Sequence, residues 1–142
     1  MKIYNDIKAF ATAKGAKLIL GSNYFQSLHA NKMTLAEGQI LLGADFNAEI
    51  ERANNVVQSI TYNGVIIVGR KFEATSFASV AETFEEKLNA RLNDLIDIAI
   101  SWIGEFACTY GYTIKSERAI MQLNEFASNI DFVAIEITLV DE

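Results

Sequence analysis

A chain of 142 residues, 51% apolar and 21% charged, has enough apolar sequence for one self-supporting core, and a single domain over residues 1–142 is expected. A net charge of −6 excludes a surface built to clamp nucleic-acid phosphates, which needs clustered Lys and Arg. The nearest approaches to such a cluster are Arg70 with Lys71 and Lys115 with Arg118. The single cysteine, Cys108, excludes an intrachain disulfide and points to a reducing compartment.

The first element is a helix. Residues 3–14 place Ile3, Ile7, Phe10 and Ala11 on one face, and Gly15 follows as a C-cap. Asp6 and Lys8 interrupt what a secretion signal would keep apolar, so none is expected there. Residues 16–38 show no clear period. Within them 16–20 is readable as a short strand, and the remainder as a long loop of the kind that serves as an interaction arm.

From residue 39 to 51 the pattern is period two. Ile40, Leu42, Ala44, Phe46, Ala48 and Ile50 fall on one face. Leu41, Gly43, Asp45, Asn47, Glu49 and Glu51 fall on the other, which becomes acidic as it proceeds. Residues 52–55 turn the chain, and 56–62 form a second strand. The Asn63-Gly64 pair then predicts a tight hairpin into a third strand ending at 72, because both turn positions must tolerate positive φ. Residues 39–72 are therefore expected as a three-stranded antiparallel meander.

The period changes at Phe77. Apolar residues recur in steps of three and four through Ala81, Phe84, Leu88, Leu92, Leu95, Ala99, Trp102 and Phe106. Ser79 and Glu82 have capping-box spacing, and Gly111 marks a stop, giving a helix of roughly 45 Å. Its second half is apolar nearly all round apart from Asp94, Asp97, Ser101 and Glu105, so a cover beyond the sheet is expected, such as a neighbouring subunit. Asp97 and Glu105 make this tract too charged for a membrane span. Two strands close the chain, at 112–123 and 131–140. The expected fold class is α+β: an antiparallel sheet, the meander plus two C-terminal strands, packed against one long helix and a short N-terminal helix, in the order α-β-β-β-α-β-β.

No chemistry converges in this pattern. His29 has no second histidine and no cysteine nearby, so a zinc site or a catalytic triad is not expected. Cys108, among apolar residues, is expected to be a buried, inert thiol. Asp94, Asp97 and Glu105 read as a solvated helix stripe. Along a strand, side chains two apart stand roughly 7 Å from each other, so Asp45, Glu49 and Glu51 are too far apart for one cation without help from other elements. Phosphate-binding glycine loops are absent, and Tyr24 and Phe25 lack the basic partners of a base-stacking platform. No catalytic residue, cofactor or metal is expected, and the chain does not read as an enzyme.

The order of elements resembles the tail-terminator and tail-completion (head–tail joining) proteins of tailed bacteriophages. The likeness is carried by "SITYNGVIIVGRKFE", by the helix "SFASVAETFEEKLNARLNDLIDIAI" and by the last strand "FVAIEITLV". The resemblance implies a structural virion protein, assembled in the host cytoplasm, that forms a homo-oligomeric ring, commonly a hexamer, between tail-tube and connector proteins. It implies that Asp45, Glu49 and Glu51 face a channel through which DNA passes without specific binding. Ile96, Ile100, Ile103, Tyr24 and Phe25 would then meet the next subunit. The alternative is a small cytoplasmic α+β module that binds a ligand or partner between sheet and helix without catalysis.

Overall fold

A computed structural model of the chain describes residues 1–21, 38–71, 92–122 and 130–141. These form α1 (Lys2–Lys14), β1 (Lys17–Leu20), β2 (Ile40–Ala53), β3 (Val56–Lys71), α2 (Asn93–Tyr110), β4 (Thr113–Gln122) and β5 (Ile130–Asp141). The class is α+β. Five strands make one sheet in the order β1-β2-β3-β5-β4, antiparallel except for the parallel β1–β2 pair.

The alternation in β2 divides the sheet into two faces as expected. Leu42, Ala44 and Phe46 join Tyr62, Ile66 and Val68 of β3 and Val133, Ile135, Ile137 and Leu139 of β5. Both helices cover this face, α1 with Ile3, Ile7, Phe10 and Ala11, and α2 with Leu95, Ala99, Ile103 and Phe106. Each helix ends where glycine was expected to stop it, Gly15 at φ 68° and Gly111 at φ 78°.

Part of the second cover expected over α2 comes from α1. The Phe10 ring meets Trp102 edge-on at 5.9 Å and Phe106 at 5.7 Å. Lys14 pairs with Glu105 at 2.6 Å and lies 5.8 Å from the Trp102 ring centre. Residues 77–91, the expected first half of the long helix, lie outside the described residues.

The opposite face is graded along the strands. At one end Leu41, Ile67 and Phe132 form a small buried cluster. One row on, Asp45, Val65, Glu136 and Arg118 lie side by side across β2, β3, β5 and β4, and the next row is Asn47, Asn63, Thr138 and Ser116. Thr138 donates its hydroxyl proton to Asn63 Oδ1 at 2.8 Å, a cross-strand bond in the polar part.

The meander expected over 39–72 is corrected to two long strands. The chain turns once, at Asn54 (φ 52°) and Asn55 (φ 66°), a two-residue loop of the type I′ class. The Asn63-Gly64 pair lies inside β3, with Asn63 paired to Asn47 on one side and Thr138 on the other. Gly64 serves close packing there. A Cβ at that position would collide first with the Asp45 carbonyl oxygen and would come within 2.7 Å of Phe46 Cδ1 and 2.8 Å of Phe46 Cα, so the missing side chain makes room for both the β2 backbone and Phe46 opposite. The short strand at 17–20 joins the sheet, so the predicted sequence of elements holds although its strands are different ones.

Gly64→Val is expected to cost about 1–3 kcal/mol in urea unfolding, because overpacking must displace Phe46 or the β2 backbone. Asn55→Gly, which removes a side chain from a positive-φ position, should raise the urea midpoint.

Candidate functional site

Among the described residues β2 and β3 outrun the rest of the sheet. β1 leaves β2 at Ala44, whose carbonyl accepts the Gly21 N–H at 2.9 Å. The last described β3–β5 pair is Ile60–Asp141. Beyond these points the two strands continue as a hairpin arm, and residues 47–58 are exposed without interruption. The seven residues of β2 past Phe46 span about 23 Å. Ile50 is 54% exposed, Val56 61% and Val57 43%, an apolar load that a two-stranded ribbon in water cannot bury by itself.

The base of the arm is pinned from α1. The Tyr4 hydroxyl accepts the Phe46 N–H at 2.9 Å. Its own proton faces the Phe46 carbonyl at 3.3 Å and Asp45 Oδ1 at 3.4 Å. Tyr4 thereby satisfies the first backbone groups on the β2 edge after β1 ends. Further out, a register shift at Glu51/Arg52 bends the ribbon. Arg52 donates to the Asn55 carbonyl at 3.1 Å, and Ser59 donates to Glu51 Oε2 at 3.3 Å.

Asp45, Glu49 and Glu51 share the polar face, with Asp45 half-buried and the other two exposed. Beside them an open depression of about 470 Å³ is bordered by Asn63, Ser116, Arg118, Glu136 and Thr138. The Arg118–Glu136 pair within it is 3.9 Å apart and well exposed, so its attraction is weak.

The other residues singled out in the sequence disperse. Asp94 pairs with Arg70 at 2.7 Å, Glu105 pairs with Lys14, and Asp97 is exposed, so these carboxylates do not converge. Among the described residues no group of three possible metal ligands occurs. Cys108 is exposed, which corrects its expected burial: Ala107 takes the inward position on α2 and Cys108 the next, outward one. Of the expected subunit-contact residues, Ile100 is 57% exposed and Ile96 is partly buried against the core. Ile103 is 2% exposed in the core between helix and sheet, where a neighbour has no access to it. Tyr24, Phe25 and His29 lie outside the described residues.

Sequence reasoning missed one polar cluster. Tyr112 donates to Asp6 Oδ2 at 2.6 Å, and Lys2 lies 3.5 Å from Asp6 and 3.1 Å from Asp141. Lys2 also sits 4.4 Å from the centre of the Tyr112 ring. Burial and the Asp6 carboxylate push the Tyr112 hydroxyl well above the usual tyrosine range. Burial opposes the charge on Lys2, yet Asp141 and Asp6 together raise its pKa. Asp6 on α1 and Tyr112 in the α2–β4 turn are 106 positions apart, and no local pattern pairs them. The cluster ties α1 to β5 and to the α2–β4 turn, a structural role.

Between the helices and the sheet, the space lined by Ile7, Phe10, Leu42, Ile66, Trp102 and Ile103 amounts to about 20 Å³, on the order of one water molecule. Comparison with protein-family models and with curated protein sequences finds no match for this chain.

Tyr112 and Lys2 both bind their protons more tightly folded than unfolded, so their contribution to stability is complete below about pH 10 and is lost as pH rises further. Tyr112→Phe should cost roughly 1.5–3 kcal/mol at neutral pH, as for a hydrogen bond to a charged group, and should flatten the alkaline fall in the urea midpoint.

Proposed function

We propose that this protein is a non-catalytic structural subunit that closes into a ring, of the kind that terminates a bacteriophage tail or joins it to the head. The observation that carries the reading is the hairpin arm. It extends past the body of the sheet, exposes Ile50, Val56 and Val57, and needs a covering surface. A neighbouring copy is the natural cover, since a head-to-tail contact repeated around an axis closes a ring.

The polar face suits a channel. Asp45, Glu49, Glu51 and Glu136 against Arg118 leave an acidic surface that repels phosphates and lets DNA pass without adhering. Partners in this reading are further copies of the chain, in a hexamer if the resemblance holds, with tail-tube and connector proteins above and below. The site of action would be the virion, after assembly in the host cytoplasm. A module holding a ligand between sheet and helices is less well supported, because the cavity among the described residues there has room only for about one water molecule.

Light scattering coupled to size exclusion, followed by negative-stain imaging, tests the proposal. The expected result is a discrete multiple of 15.7 kDa with an open centre that does not retain duplex DNA at low ionic strength. A monomer at every concentration would count against it.

A further inference from the structure

We infer that the subunits join edge to edge, the open β2 edge of one copy's arm pairing with the β4 edge of the next. The inference rests on the ring reading above and names the surfaces that would close the ring.

Among the described residues both surfaces are open ends of one sheet. β4 is the terminal strand on one side, with residues 113 and 115–119 exposed. β2 past β1 is the open strand on the other side. Because the two edges lie at opposite ends, each copy offers one and accepts one, which is the head-to-tail contact a ring needs. Their directions also agree. β2 is antiparallel to β3, β3 to β5 and β5 to β4, so β4 runs opposite to β2. A sheet repeated side by side therefore brings an arm against the next β4 in the more stable antiparallel sense.

Charge complementarity on the polar face favours the pairing, Glu117 of β4 lying on the other face opposite Ile137. The arm carries Glu49 and Glu51, and neither has an ion-pair partner among the described residues. β4 carries Arg118, whose side chain is 76% exposed, and Lys115 at a register shift between Ile114 and Ser116. A bulge and a lysine on an edge strand discourage indiscriminate pairing, whereas an acidic strand matches them.

The register of the sheet places Arg118 in the row that ends at Asp45. Tyr4 and β1 occupy the edge up to Phe46, so the neighbour must slide towards the arm tip. A slide of four residues, from Asp45 to Glu49, sets Arg118 beside Glu49, brings Ser116, with the adjacent Lys115, to Glu51, and requires β4 beyond Ile120 to part from the β2 edge that Tyr4 holds. A stagger of this kind is what a sheet acquires on closing into a barrel.

The test uses the full chain with Cys108→Ser. Glu49→Lys with Glu51→Lys, or Lys115→Glu with Arg118→Glu, should each raise the concentration for half-assembly roughly tenfold or more. All four reversals in one chain should bring it back to near the parent's. In parallel, Glu49→Cys with Arg118→Cys should oxidise to a disulfide ladder that stops at the ring mass. If both double reversals assemble like the parent, rings form through another surface: the inference falls and the ring reading stands. If all charge variants fail and no ladder forms, the inference falls too. A parent chain that stays monomeric removes both.

Discussion

Phe46 lying against Gly64 sets the register of the β2–β3 pair, and the rest of the molecule depends on that register. A slip of one residue would carry Leu42, Ala44 and Phe46 to the outer face and bring Asp45 and Asn47 under the helices. Burial of the Phe46 ring in the core opposes such a slip, and the missing Cβ at Gly64 leaves space for that ring in the observed pairing. The same register decides where the sheet is double-sided and where it is not. Leu41, Ile67 and Phe132 are buried on the outer face, whereas from Asp45 onward that face carries charge.

The arm follows from unequal strand lengths on a fixed register. β2 and β3 continue past the points where β1 and β5 end, so their backbone groups and apolar side chains project with no partner from the sheet body. An element of that kind is costly for an isolated protein and useful for an assembling one. Tyr4 marks the boundary. On the body side β1 satisfies the β2 edge, at Phe46 a hydroxyl does so, and beyond it no other described strand does.

Much of this was legible in residues 40–51, because alternation is a local signal that a sheet with one buried face enforces. The helix faces were legible for the same reason, and so were the stops at Gly15 and Gly111. The turn within 52–55 was legible as well, whereas the Asn63-Gly64 pair misled because the dipeptide rule is local, while what keeps the chain extended there is β5 pairing along β3 from far away in sequence. The Tyr112–Asp6 bond was illegible for a similar reason, as was the edge contact between Phe10 and Trp102 that gives α2 part of its second cover. Ile103 and Ile100 look alike in a helix that is apolar nearly all round, and only the packing separates the buried residue from the exposed one.

Backbone amide hydrogen exchange, compared between dilute and concentrated protein, tests most directly whether the two open edges meet. The account predicts that amides in residues 47–53 and 113–119 exchange quickly when the protein is dilute and become protected together as it assembles. Fast exchange along the arm in protein already shown to be assembled would contradict it.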